Sequence, residues 1–98
     1  MINYQENYAH LSPVWSHYTD FIVDHAEGSY LYTMDGRKVL DFTCGIGVTN
    51  TGHCHPRVVE AIRQQAGLLI HGQVNLVVHK PLLELVAELR TIVPSSLD

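Results

Sequence analysis

Cys44, His53, Cys54 and His55 are the side chains of this sequence most suited to binding a soft metal ion. Thiolate sulfur and imidazole nitrogen would suit zinc. The His-Cys-His run is not a standard zinc spacing, however, and adjacent side chains on a loop point apart. No metal is expected here. The competing role for His53 and His55 is to hydrogen-bond the backbone where the loop enters a helix. Asp41 ends a strand beside the same loop. A lone carboxylate there could act as a general base. Nothing nearby in sequence orients it, which favours a solvated or loop-bracing role. Between these groups lies Gly45-Ile46-Gly47-Val48. A dinucleotide fingerprint would need a third glycine at position 50, which is Asn50, and a helix opening sooner than Pro56. Gly47 and Gly52 have the spacing of a phosphate-binding P-loop, but His53 and Cys54 stand where Lys and Ser/Thr are required. What the glycines offer is a sharp backbone turn and close approach to another surface. Trp15 and Tyr18 could line a ligand pocket or pack into a core or interface.

The elements that must hold these groups follow from pattern. Residues 1–20 read as an arm, polar and aromatic, either extended or a short helix needing a partner surface. Residues 21–42 read as antiparallel strands. Phe21 to His25 alternates, Ser29 to Thr33 puts Tyr30 and Tyr32 on one face and Leu31 on the other, and Val39, Leu40 and Phe42 return. Met34-Asp35-Gly36-Arg37 is the turn, with Gly36 able to take the positive φ that a tight hairpin needs. Residues 43–55 form the loop. A helix spans 56–70, opened by Pro56 at the first helical position, with Val58, Val59, Ile62, Ala66 and Leu69 on one face. A second spans 80–93, with Leu82, Leu85, Val86, Leu89, Ile92 and Val93 as its stripe.

Ninety-eight residues is one domain at most. Charged residues are 16%, below the roughly 25% of average chains. A free-standing domain this small has much surface and usually needs more charge to cover it. Either more chain or a second subunit covers part of the surface, or the domain is simply somewhat apolar. A net charge of −4 with six scattered Lys and Arg argues against a nucleic-acid partner. Met1 to Ser12 lacks a signal-peptide pattern, and no run is long enough to span a bilayer. With two cysteines and no disulfide framework, a reduced, cytoplasmic setting is expected.

The ordered series Gly28-Ser29-Tyr30-Leu31-Tyr32, Asp35-Gly36-Arg37, Leu40-Asp41-Phe42, Gly45-Ile46-Gly47-Val48 and Gly52-His53-Cys54-His55-Pro56 resembles the N-terminal segment of the class III aminotransferases. These are the pyridoxal-phosphate-dependent 4-aminobutyrate, acetylornithine and ornithine group. The resemblance runs from about Gly28 to Pro94. It implies an α+β N-terminal small-domain segment, short antiparallel strands plus two helices, of a type I pyridoxal-phosphate-dependent transferase of α/β fold, over residues 1–98. The large cofactor-binding domain would lie outside them.

By the same resemblance the full-length protein moves an amino group from an amine or ω-amino acid to a 2-oxo acid, and is a homodimer. Its cofactor is pyridoxal 5'-phosphate, held by a lysine, by a carboxylate at the ring nitrogen and by a phosphate loop, none of which matches a position here. No catalytic residue is therefore assigned, and the 98 residues are expected to be inactive alone, as a truncated product, a gene fragment or part of a longer chain. The resemblance places Ile46 and Val48 against the substrate, with Gly47 between them where relatives often carry Ala. In relatives aromatic residues of the arm help form the substrate pocket, without a residue-by-residue match, and Trp15 is the candidate here; Asn75 falls where the 4-aminobutyrate branch often has Gln, and is expected either near the substrate or in a loop hydrogen bond. Aminomutases, racemases and a decarboxylase share this architecture. The alternative reading is a stand-alone α+β interaction or dimerisation module without catalysis.

Overall fold

The structure, a computed structural model, describes residues 1–97. The chain divides into two compact units, Met1–Val59 and Glu60–Asp98.

In the first unit the arm carries one short helix, α1 (Tyr4–Ala9). Asn3 starts it, its side-chain oxygen accepting from the Glu6 amide at 3.1 Å, as an N-cap should. Tyr8 ties the arm back on itself through a 3.2 Å bond from its hydroxyl to the Thr19 carbonyl. Three strands follow, β1 (Val23–Glu27), β2 (Tyr30–Thr33) and β3 (Lys38–Leu40), in an antiparallel sheet of order β1-β2-β3. Ala26 pairs with Leu31, and Leu31 with Val39. Strand pairing begins at Val23 rather than Phe21, and the register shifts between Val23 and His25. The Ile22 carbonyl still accepts from Met34 at 2.8 Å.

The β2–β3 turn closes through Thr33 and Arg37. The Thr33 amide donates to the Arg37 carbonyl at 3.0 Å, and the Arg37 amide donates to Thr33 Oγ1 at 2.9 Å. Gly36 has φ 86°, which glycine adopts without steric cost. Asp35 accepts from the Thr33 hydroxyl and pairs with Arg37 at 2.7 Å. The Arg37 bond, then the Thr33 bond, lowers the Asp35 pKa to about 2. Arg37 also stacks over Phe21, 4.6 Å from the ring centre. Thr33 is buried, so its hydroxyl needs these partners.

Beyond β3 the Asp41 amide still donates to Ser29 at 2.8 Å. The chain then leaves the sheet before Phe42 and enters a single helical turn, α2 (Cys44–Gly47). Helix α3 (Pro56–Ala66) opens at the expected proline. It stops four residues short of position 70, before Gly67, where the backbone entropy of glycine disfavours helix.

The second unit holds the rest of α3, α4 (Lys80–Arg90) and a 3₁₀ turn, Ser95–Leu97. Helix α4 has Pro81 in its first turn. It ends at Arg90 rather than 93, where the Thr91 hydroxyl folds back onto the Glu88 carbonyl at 2.7 Å, a bond that competes with helical pairing. Between the helices Gly72 packs closely: a Cβ there would lie 3.0 Å from Val77 Cγ2.

Among the described residues no hydrophobic side chain is buried. The stripe of Leu85, Val86 and Leu89 exists on α4 as a face, and these residues, with Ile92 just beyond the helix, are exposed. In the first unit Phe42, Ile46 and Val48 are likewise exposed. Apolar surface of this kind marks faces made for contact with something else.

Candidate functional site

The site is built on the backbone between β3 and α3. α2 has the hydrogen bonds of one helical turn but the opposite hand. Cys44, Gly45, Ile46 and Gly47 have φ of 50°, 60°, 59° and 81°. For L-residues this left-handed region costs about 1–2 kcal/mol each, and runs of it are rare. For a β-branched residue such as Ile46 it is a true outlier. The turn is closed by the Ile46 amide on the Thr43 carbonyl at 2.8 Å, and by the Val48 and Thr49 amides on the Cys44 carbonyl at 2.9 and 3.0 Å.

Asp41 holds the start of this turn. Its Oδ1 accepts from the Thr43 amide at 2.9 Å, the Thr43 hydroxyl at 2.8 Å and the Cys44 amide at 3.1 Å. Its Oδ2 lies 2.6 Å from His53 Nε2. The Asp41 side chain is 5% exposed and that of His53 18%. The His53 contact, then the Thr43 hydroxyl and the Cys44 amide, lowers the Asp41 pKa to about 2. An ionised carboxylate only accepts, so Nε2 of His53 carries the proton and donates. The expected loop-bracing role of Asp41 therefore has a definite form. The expectation for His53 needs correcting: its ring bonds a carboxylate, not backbone. His55 does meet backbone, its Nδ1 accepting from the Arg57 amide at 3.3 Å.

His53 is fixed in turn by its own backbone. Its amide donates to the Gly28 carbonyl at 2.8 Å and its carbonyl accepts from the Gly28 amide at 3.1 Å, a one-residue antiparallel bridge. Gly52 permits it. With φ 86°, a Cβ on Gly52 would sit 3.3 Å from the Gly28 Cα and carbonyl oxygen. A small cavity of about 90 Å³ lies beside the pair, lined by Ser29, Cys44, Thr49 and Asn50 together with the bridge residues and Asp41. The Thr49 hydroxyl is buried there with no protein partner among the described residues.

The outcome is a rigid base carrying an outward tip. Ile46 is 95% exposed and Val48 80%. Gly47 lies between them with nothing within 4 Å of where a Cβ would stand. Trp15 also belongs to the first unit and is 63% exposed. Asn75 lies in the second unit, where its amide bonds the Gln73 side chain at 2.6 Å. Thr43, Gly28 and Gly52 were not among the expected site residues. The Asp-x-Thr spacing of residues 41–43 was the available signal for Thr43, since Asp side chains commonly bond the backbone two residues on.

Cys44 and Cys54 are free thiols. Among the described residues no group of three or more His, Cys, Asp or Glu could hold a metal ion, and no helix is long and apolar enough to cross a membrane.

The profile of the class-III aminotransferases matches residues 11–98. The chain belongs to that family. A probable 4-aminobutyrate aminotransferase from Bacillus subtilis is 46% identical to this class-III aminotransferase chain over 70 residues, which are 71% of this chain and 16% of that protein. An acetylornithine aminotransferase from Methanocaldococcus jannaschii is 56% identical over 50 residues, 51% of this chain and 13% of that one. Among solved structures, an acetylornithine aminotransferase from Elizabethkingia anophelis superposes with TM-score 0.73 at 25% identity, covering 91% of this chain and 23% of its own. The chain thus spans less than a quarter of the relatives it matches. The small sheet and helices are a part of the aminotransferase fold.

Class-III aminotransferases use pyridoxal phosphate, which a lysine binds covalently. Lys38 lies over the Tyr30 ring at 4.1 Å and within 5.9 Å of Tyr32. Lys80 pairs with Glu84 at 3.3 Å on an open helix face. Neither has the desolvated setting that activates a lysine amine. The described residues therefore do not fit the cofactor's covalent site, and no chemical step is assigned to them.

Proposed function

We propose that this chain is the N-terminal part of a pyridoxal-phosphate-dependent aminotransferase that moves an amino group from an amine or ω-amino acid to a 2-oxo acid, as a cytoplasmic homodimer. Its contribution is one wall of the substrate pocket, made by Ile46, Gly47 and Val48. The observation that carries this reading is the α2 turn. A β-branched residue held left-handed, with its side chain in open space, is a costly arrangement that gives the isolated unit no packing. Strain of this kind clusters at ligand sites, where the surroundings over-determine it. Relatives named for 4-aminobutyrate and acetylornithine support donors with an amine remote from a carboxylate. Asn75, in the other unit, carries no part of this proposal.

The test is a transamination assay on the full-length protein containing this segment, with 4-aminobutyrate, N-acetylornithine and ornithine as donors and 2-oxoglutarate as acceptor. Glutamate formed from at least one donor supports the reading. No glutamate from any of them, with the cofactor bound, would reject it.

A further inference from the structure

The α2 turn is strained and closed by its own backbone bonds, and its start is held by one side chain. Asp41 takes four contacts on its two oxygens, three of them from Thr43 and Cys44 at the mouth of the turn and one from His53, twelve residues on. His53 is itself immobilised through both its backbone groups on Gly28, at the end of β1. The path therefore runs from the sheet edge, through the His53 ring and the Asp41 carboxylate, to the first amides of the turn that lifts Ile46. Neither Asp41 nor His53 is open enough to meet a substrate directly, whereas Ile46 and Val48 are almost wholly exposed.

We propose that Asp41 and His53 are a positioning pair for donor selection: their bond sets the height and angle at which Ile46 is presented, and so which amine donors the pocket accepts. The inference rests on the reading of Ile46 as substrate wall. With the carboxylate ionised, the pair needs the proton on Nε2, because two acceptors would repel. A neutral side chain with an N–H at the same reach should therefore replace the imidazole. Glutamine has that reach, and its amide N–H can substitute for Nε2–H. Alanine cannot, and it leaves a nearly buried carboxylate one partner short. Thr43→Val is milder: it removes only the hydroxyl bond to Oδ1 and leaves the His53 contact intact.

The experiment compares kcat/KM for a short and a long donor, 4-aminobutyrate and N-acetylornithine, in full-length wild type, His53→Ala, His53→Gln and Thr43→Val. Bound cofactor is measured by absorbance on the same samples. The expected result is a donor ratio shifted roughly tenfold in His53→Ala, mostly through KM, with cofactor content unchanged. His53→Gln should return the ratio to within about twofold of wild type. Thr43→Val should shift it in the same direction as His53→Ala, by less. If His53→Ala does not fold, His53→Gln and Thr43→Val decide. An unchanged ratio in Thr43→Val, or a ratio shifted in His53→Gln as far as in a folded His53→Ala, overturns the proposal while leaving the aminotransferase reading intact. A wild type with no transamination overturns both.

Discussion

Gly52 and Gly47 have nearly the same backbone conformation, φ 86° and 81°, but different surroundings, and that pairing makes a sharp prediction. An alanine at either position pays the left-handed cost of an L-residue, about 1–2 kcal/mol. At Gly47 nothing stands within 4 Å of the new methyl, so little more is expected. At Gly52 the methyl would meet the Gly28 backbone at 3.3 Å on two atoms. Gly28 is held by both bridge bonds and cannot retreat without lengthening them. Losing one such bond adds about 0.5–1.5 kcal/mol. Gly52→Ala should therefore weaken the bridge by about 1.5–3.5 kcal/mol, which is at least a tenfold change in an opening equilibrium. The assay is amide hydrogen exchange in the full-length protein, read at the Gly28 and His53 amides, since exchange reports local opening. Protection of both should fall at least about tenfold in Gly52→Ala and stay within about twofold in Gly47→Ala. Equal losses in the two variants, or none in Gly52→Ala, would refute the claim that close approach to Gly28 is what Gly52 supplies.

Three further outcomes are expected. Treating the 98-residue chain with pyridoxal phosphate and borohydride should leave no stoichiometric adduct on Lys38 or Lys80 by mass spectrometry, since each amine is engaged elsewhere and open to water; one site-specific adduct would contradict this. Elemental analysis of untagged protein should find no stoichiometric zinc, whereas one zinc per chain, lost on Cys54→Ala, would overturn it. A carbon-detected titration of the Asp41 carboxyl should give a midpoint near 2, well below its ordinary 3.8; the folded pKa is depressed, so the pair's contribution to stability is full above about 4 and fades as pH falls towards 2. A midpoint at the ordinary value would mean that His53 and the turn amides do not hold the charged form.

The sheet and helices were largely legible in the sequence because their determinants are local. Gly36 marks the hairpin, Pro56 and Pro81 mark helix starts, and the apolar spacing of α4 survives as a real face. The helices end before the apolar periodicity does, because Gly67 and the back-bonding of Thr91 act at single positions that periodicity averages over. The handedness of α2 was not legible. Local preference rejects a left-handed isoleucine; the turn is closed by backbone bonds to the Thr43 and Cys44 carbonyls, and its start is held by Asp41, whose other oxygen meets His53, twelve residues on. The same separation hid the pairing itself: Asp41 looked unoriented because its orienting partner is not its neighbour. Read as a metal candidate or a backbone cap, His53 had no residue in its own segment to suggest a carboxylate.

Ile46→Ala in the full-length protein tests most directly the proposal that the tip of α2 faces substrate. Ile46 meets almost nothing in its own unit, so truncation costs the fold little. What it removes is apolar surface offered to a ligand, a loss that typically changes substrate discrimination by about 1–3 kcal/mol. The measurement is kcat/KM for several amine donors, with cofactor affinity followed in parallel. Donor ratios that change roughly 5- to 150-fold while cofactor affinity holds are predicted. Unchanged donor ratios with weakened cofactor binding would place the turn on the wrong side of the site.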